Sequence, residues 1–547
     1  MMNEFMNTKD QKISHPKIMY IGCYCFLLAV YLYFTLQKGY SIISCDTPKE
    51  LREMTSIAVA HQFAYGHNPY SSSALGHDIP SVTSIYGLLV PLLMSPFIRL
   101  FSVTPLSVLQ ICQLLTLIVE IIGTVFFYRL LVRKTGNDLL SLAGAFLFHT
   151  CYWRYSAFGG AFPDQWGLTL SVILADLLSI DEQKKRYRPL LYAAGVIGLF
   201  YIKQYFVLVL IGLCIYLFLY AKRDFIKLII YGTLLGVLSV IFTYLLFPLY
   251  FSEVFPIAHG QTITGVASYS ATQILRLSVY YGPVVLFAII GFLTSGYQMI
   301  RKKHLHGEVT YELCQIIFIF PPLFHIAENQ GTNYTYYLQL WYPYIILYGI
   351  TSASVLLRHL YHKCISPMCG NVKVLLLKVC FVSVCLLTAL SLVKVLPSYH
   401  CPSMTSKQLE SWHNAYDLLE RYSSEGDILV SMVLSNYCLE HGIATSNYGQ
   451  AEYNNIQNLE NYKSNRLWRN IFLFDHTEEI LQQNITYNQT IKNKIYDQAY
   501  RCIALVYAGE YHLAEDDLIN AGYHIAAAEE LQTGTQCWYT LFYTTVD

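Results

Sequence analysis

Ser44-Cys45-Asp46-Thr47-Pro48 comes shortly after an apolar run from Ile18 to Leu36, and the stretch it opens, Ser44 to Phe101, decides how the rest of the chain is read. Behind Asp46 stand Glu50 and Glu53; a Gly66-His67-Asn68-Pro69-Tyr70 turn follows, and the stretch ends in an apolar segment that starts at Tyr86-Gly87-Leu88-Leu89. The run before it has the length of a spanning helix and no convincing small-residue cleavage site after it, so it reads as a first membrane span rather than a signal peptide. Lys9, Lys12 and Lys17 precede that span. Basic flanks stay in the cytoplasm, which places Asp46 outside and makes residues 37–103 an outer loop lying on the membrane.

Composition agrees. Hydrophobic residues fill 54% of the 547 positions and charged residues only 13%, far from the mixture of a water-soluble domain. The expected class is a polytopic α-helical membrane protein. Acidic and basic residues balance at 36 each, which gives no basis for a nucleic-acid partner, but they are unevenly placed: from Thr405 onward there are 19 acidic and 8 basic residues. The 15 cysteines are scattered, several within apolar runs (Cys23, Cys25, Cys112, Cys314, Cys380, Cys385), without the spacing of a metal site. They read as small core residues, and no metal or other cofactor is expected.

Basic clusters then set the topology. Arg129, Arg133 and Lys134 follow the run from Thr104 to Leu131, so this run returns to the cytoplasm and Ile85 to Phe101 is left as a horizontal or re-entrant segment in the outer loop. The remaining spans are expected at Leu139 to Tyr155, Trp166 to Ile180, Leu190 to Ile202, Tyr205 to Tyr220, Ile226 to Leu246, Gly282 to Ile300, Tyr311 to Ile326, Tyr337 to Leu357 and Val374 to Val395. That is about 11 in all. The clusters at Lys184 to Arg186, Lys222-Arg223, Arg301 to Lys303 and Arg358 to Lys363 all fall inside. Residues 1–397 form the membrane domain, and an odd number of spans leaves residues 398–547 outside with Asp46.

That outer part reads as a small α/β domain. Ser406 to Tyr422 and Glu510 to Ala521 have helical periodicity, while Asp427 to Val433, Cys502 to Tyr507 and Tyr523 to Ala528 read as strands. No dinucleotide fingerprint, P-loop or nucleophile elbow is present. No internal repeat supports an inverted-repeat transporter.

The candidate chemistry lies on the outer face. Partial loss of water makes a carboxylate a better base, so one at the membrane edge, such as Asp46, suits removal of a proton from an acceptor hydroxyl. The competing reading is a helix-start anion, since Thr47-Pro48 resembles a helix beginning. Asp164, in Phe162-Pro163-Asp164-Gln165, is a second outer carboxylate, equally readable as a helix cap. Lys203-Gln204 joins two short spans, where an ammonium suits a lipid phosphate or simply snorkels. His325, Glu328, Asn329, Asn333 and Tyr334 form a polar cluster fit to line a cavity for a sugar or headgroup, and Glu120, His149 and Asp176 fall within spans as helix-pairing groups.

In this order, Asp46 after span one, the turn at Gly66 to Tyr70, the horizontal segment from Tyr86, the Pro163-Asp164 loop, Lys203-Gln204 and the outer α/β tail resemble the GT-C glycosyltransferases. The branch they resemble most contains protein O-mannosyltransferases and bacterial aminoarabinose transferases, which use polyprenyl-phosphate sugars. The resemblance implies an inverting transferase moving a sugar from such a donor to a lipid, glycan or protein acceptor on the outer face. It assigns the base to Asp46 and the lipid phosphate to Lys203. Beyond the resemblance, Gln204 is expected to assist Lys203, Glu50 and Asp164 are the other catalytic candidates, which would position acceptor or donor, and Tyr70, Tyr86, His325, Glu328 and Asn333 are expected to bind substrate. Where the family often shows Asp-Glu, Asp46 is followed by Thr47, so Glu50 or Glu53 is a candidate to share its role. The Asn-, Lys- and Tyr-rich composition and the basic leader point to a bacterial plasma membrane. The alternative is a lipid-linked sugar flippase or transporter, which would draw on Glu120, His149 and Asp176.

Overall fold

The computed structural model describes residues 15–49, 53–74, 86–155, 160–179, 188–259, 281–302, 309–329, 338–360, 405–446, 472–506, 513, 515–533 and 536–545. Its helices are α1 (His15–Ile43), α2 (Glu53–Ala64), α3 (Leu89–Phe101), α4 (Val108–Thr135), α5 (Asp138–Tyr155), α6 (Pro163–Leu178), α7 (Arg188–Ile202), α8 (Val209–Tyr220) and α9 (Lys222–Leu246). They continue with α10 (Tyr250–His259), α11 (Gly282–Lys302), α12 (Tyr311–Asn329) and α13 (Tyr342–Leu360). Among the described residues, five helices are long and apolar enough to cross a membrane: Tyr20–Ile43, Val108–Thr135, Lys222–Leu246, Gly282–Arg301 and Leu338–His359. Five more of the expected spans are the shorter helices α5, α6, α7, α8 and α12, and the expected span from Val374 to Val395 lies outside the described residues.

Three of the long helices turn large apolar side chains outward: Phe26, Leu32 and Leu36 on α1, Ile230, Leu234 and Phe242 on α9, and Phe292, Leu293 and Ile300 on α11. An apolar surface of that extent is stable against hydrocarbon, not water. The chain is an integral membrane protein.

Helix α4 runs through the middle of the bundle. Ser107 and Gln110 cap its start reciprocally, and Gly136, at φ 61°, ends it in the left-handed region that favours glycine. Cys112, Thr116, Glu120 and Thr124 recur every four residues and are buried, so a polar seam faces the core where an outward-facing span would carry only apolar groups. Lys38 closes that seam, its Nζ donating to both oxygens of Glu120 at 2.6 and 2.8 Å. Because Lys38 is paired, α1 continues past the expected end at Leu36 to Ile43. At one end of the bundle Arg133 meets Asp176 at 2.7 Å and Lys134 meets Glu312 at 2.9 Å. This is the basic end.

At the opposite end sits a mixed four-stranded sheet of β1 (Asp427–Val430), β2 (Tyr500–Leu505), β3 (His524–Thr533) and β4 (Gln536–Thr544) in the order β1-β2-β4-β3. β1 and β2 are parallel; β4 is antiparallel to both neighbours. Helices α14 (Ser406–Ser423), α15 (Met432–Glu440), α16 (Thr477–Tyr496) and α17 (Glu515–Asn520) accompany it. One expectation needs correction: the strand expected through Val433 stops at Val430, because Ser431 takes the cap position of α15. Of the helix expected from Glu510 to Ala521, Glu515–Asn520 is helical and residues 510–512 and 514 lie outside the described residues; β4 is a strand the sequence reading did not name. Trp412, Leu419, Ile428 and Val430 share one core with Met54 and Ile57 of α2 and with Val90 and Met94 of α3. The sheet region is therefore packed onto the first loop rather than hung from the bundle.

Candidate functional site

At the sheet end, α6 begins with Pro163 at its first position, where a fixed φ and a missing N–H cost nothing. Asp164 is next and fully buried, yet it caps nothing: the cap position is Phe162. Its carboxylate instead gathers side chains from elsewhere in the chain. Tyr205 donates its hydroxyl to Oδ1 at 2.5 Å, Gln339 donates Nε2 to the same oxygen at 2.6 Å, and Lys203 Nζ lies 3.2 Å from Oδ2. Lys203 reaches it because α7 stops at Ile202, the backbone extends at Lys203, and a 3-10 turn restarts at Gln204. Two short spans interrupted by one extended residue deliver a lysine to the bundle interior.

Tyr86 covers the other side of that lysine, its ring centroid 4.7 Å from Nζ, a cation over an aromatic face. Gly87 makes the approach possible, since a Cβ there would collide with the carbonyl oxygens of Tyr201 and Ile202. Near the pair, Gln165 Oε1, Gln204 Nε2 and Gln339 Oε1 are buried without a hydrogen-bond partner among the described residues. Buried polar atoms in that state are unusual. Gln165 and Gln204 adjoin Asp164 and Lys203 in the chain and Gln339 is bonded to Asp164, so these amides are candidates to meet a polar ligand.

Asp46 follows the last turn of α1 and is exposed. It lies near Tyr416, Tyr437 and Glu440 of the sheet region, close enough that its charge bears on each of them. Glu53 is different: fully buried at the start of α2, it accepts the Ala161 N–H at 2.6 Å and Gln113 Nε2 at 3.2 Å. Glu50 and Asn333 lie outside the described residues, and for His325 and Glu328 only the helix that carries them, α12, is described. Tyr70 is packed in an aromatic cluster with Phe63 and Tyr250, and Leu249 donates its N–H to the Tyr70 carbonyl. Of the sequence candidates, Asp164, Lys203 and Tyr86 converge. Tyr205 and Gln339 complete the cluster without having been singled out, since a tyrosine and a glutamine at span edges carry no signal of their own.

The ionisable groups expected within spans are engaged. Glu120 is paired with Lys38, Asp176 with Arg133 and, at 3.5 Å, Arg129, and His149 Nδ1 shares a 2.8 Å hydrogen bond with the Thr124 hydroxyl. No group of three or more His, Cys, Asp or Glu side chains that could hold a metal ion occurs among the described residues.

No protein-family model matches the sequence, and no curated protein does. Solved structures do match. ArnT from Cupriavidus metallidurans, solved bound to undecaprenyl phosphate, superimposes with a TM-score of 0.54 at 9% identity, covering 95% of this chain and 98% of that one. The Archaeoglobus fulgidus oligosaccharyltransferase in its apo form gives 0.53 at 12% identity over 95% of this chain and 74% of that one. The same enzyme tethered to an acceptor peptide containing the NVT sequon gives 0.50 at 13% identity, with the same coverage. At such identities the likeness is one of fold alone: the chain shares the architecture of these two enzymes.

Proposed function

We propose that this protein is an inverting glycosyltransferase that moves a sugar from a polyprenyl-phosphate-linked donor to a lipid, glycan or protein acceptor on the extracytoplasmic face of a bacterial plasma membrane. In this reading the N-terminus and the basic end are cytoplasmic, and residues 398–547 form an extracytoplasmic α/β domain covering the site. One observation carries it: within a GT-C bundle, a buried Asp164–Lys203 pair at the sheet end adjoins amide atoms that have no hydrogen-bond partner among the described residues.

Asp46 takes the proton of the acceptor hydroxyl as its oxygen bonds to the anomeric carbon. The bond from that carbon to the lipid phosphate breaks from the opposite side, which inverts the centre. The phosphate departs with added negative charge, and Lys203, held by the Asp164 carboxylate that Tyr205 and Gln339 fix, balances it. Asp164 thus positions the cation rather than acting as a base. Tyr86, Gln165 and Gln204 line the donor's polar head.

The alternative, a lipid-linked sugar flippase or transporter, relies on Glu120, His149 and Asp176, and each of these already has a structural partner. Sugar transfer from a polyprenyl-phosphate donor by the purified protein decides between the two. Asp46→Asn keeps size and hydrogen bonding but removes the proton acceptor, so turnover is expected to fall roughly 10²-fold with an unchanged unfolding temperature. Native turnover in Asp46→Asn would sink the assignment of the base, and absence of transfer by the native protein would sink the class.

A further inference from the structure

Glu53 carries a carboxylate that the proposed mechanism does not use, and its surroundings join the two halves of the site. The side chain is fully buried. Its Oε2 accepts the Ala161 N–H at 2.6 Å, and its Oε1 accepts Gln113 Nε2 at 3.2 Å and the backbone N–H of Lys49. Gly160 must be a glycine for this approach, since a Cβ there would stand 2.6 Å from Oε2. The same Gly160 offers its carbonyl to Gln165 Nε2 at 2.9 Å, across the turn from which Asp164 emerges. One carboxylate thereby fixes the backbone just ahead of Asp164.

It fixes the first loop as well. Lys49 gives its N–H to Glu53 and directs its Nζ toward the Ser41 carbonyl in the last turn of α1, at 3.4 Å. The segment from Ser44 to Lys49 is therefore closed at its base, with the exposed Asp46 between Cys45 and Thr47, whose Sγ and Oγ1 are 2.8 Å apart. Every contact described for Glu53 is a donor pointing at a carboxylate, so an amide at this position would set its own N–H against one of them. Three donors from three segments of the chain hold the carboxylate in place.

We infer that Glu53 is a positioning residue, setting the register between the loop that carries Asp46 and the turn that carries Asp164, the partner of Lys203. The kinetic part of this inference rests on the transferase reading above; the structural part does not. The test uses the full-length protein in detergent and the native Cys45, 8% exposed. Thiol labelling is followed at the Cys45 peptide by mass spectrometry, with Cys314, buried far away at the basic end, as internal reference.

Glu53→Gln is expected to speed labelling of Cys45 on the order of ten-fold by opening the loop locally, and to leave Cys314 unchanged. The swap Glu53→Gln with Gln113→Glu restores one carboxylate facing one amide and is expected to return the rate toward native. Should Glu53→Gln not fold, Glu53→Asp keeps the charge, withdraws it by one methylene and is expected to shift Cys45 in the same direction. Unchanged Cys45 labelling, or a swap that labels as fast as the single variant, overturns the inference. In the transfer assay Glu53→Gln is expected to lower kcat with little change in KM for the lipid donor. If the native protein shows no sugar transfer the transferase reading falls, and the labelling still decides what Glu53 does.

Discussion

Two buried lysine–carboxylate pairs in this molecule differ in construction. Lys38 and Glu120 meet between two long helices, with both carboxylate oxygens at 2.6 and 2.8 Å from one ammonium. Lys203 and Asp164 meet across a helix break and a helix start, at 3.2 and 3.4 Å, with Tyr205 and Gln339 nearer to the carboxylate than the lysine is. The first geometry is a tight mutual contact between charges that water cannot reach. In the second, the carboxylate is satisfied largely by neutral donors and the ammonium lies over an aromatic face, a cation held but not consumed. A pair that fastens helices together and a pair that presents a charge are thus told apart by who else is hydrogen-bonded.

The sharpest way to break this comparison is to remove each lysine in turn. Lys38→Met strands a buried Glu120, and losing one partner of such a pair is expected to cost about 3–5 kcal/mol of stability. Thermal unfolding in one detergent should show a marked drop. Lys203→Met leaves Asp164 with Tyr205 and Gln339, so the loss there is expected to be nearer ~1–3 kcal/mol. Equal losses would mean that the two pairs do the same job.

Activity should rank the two sites in the reverse order. With a departing phosphate left without a fixed cation, Lys203→Ala is expected to lose transfer from the lipid donor, roughly as 10²-fold for a lost electrostatic contact. Lys203→Arg should keep part of it, because the charge survives while the fit over Tyr86 does not. A Lys203→Ala protein with native donor dependence would reduce this residue to a structural partner of Asp164.

How much of this was readable from the residues follows the same divide. The break at Lys203-Gln204 showed in the sequence because two apolar runs are each too short to span alone. Asp164 was visible as an outer carboxylate, but its partners Tyr205 and Gln339 stand 41 and 175 residues away and meet it only through helix packing. Lys38 was passed over because a Gln37-Lys38 step looks like the end of a span, when the helix continues to Ile43 with that charge neutralised inside. In the sheet region, Asp427 to Val433 is one apolar run, and apolar content alone does not separate a buried strand from the helix after it. Ser431 makes that turn by accepting the Val506 N–H through its hydroxyl.

The smallest effect expected concerns the seam between the sheet region and the bundle. Glu440, at the end of α15, accepts the Val108 N–H at 2.9 Å with Oε1 and so supports the start of α4. Burial pushes its carboxyl above the ordinary carboxylate range; the Val108 bond and His441 oppose the shift, and the charge of Asp46 adds to it. A carboxyl whose pKa is raised by folding holds its proton longer in the folded state than in the unfolded one. Its contribution is therefore complete below the ordinary carboxylate pKa and is lost as pH rises through the raised value. Across that window stability should fall with pH, by at most about 1.4 kcal/mol per pH unit. Glu440→Gln retains an acceptor for Val108 but cannot titrate, so comparing its unfolding midpoint with the native one at each pH isolates this term. Asp46→Asn should narrow the window, because one of the charges that raises Glu440 is gone. An identical pH slope in native protein and Glu440→Gln would show that this seam does not titrate, and that Asp46 faces the sheet region without coupling to it.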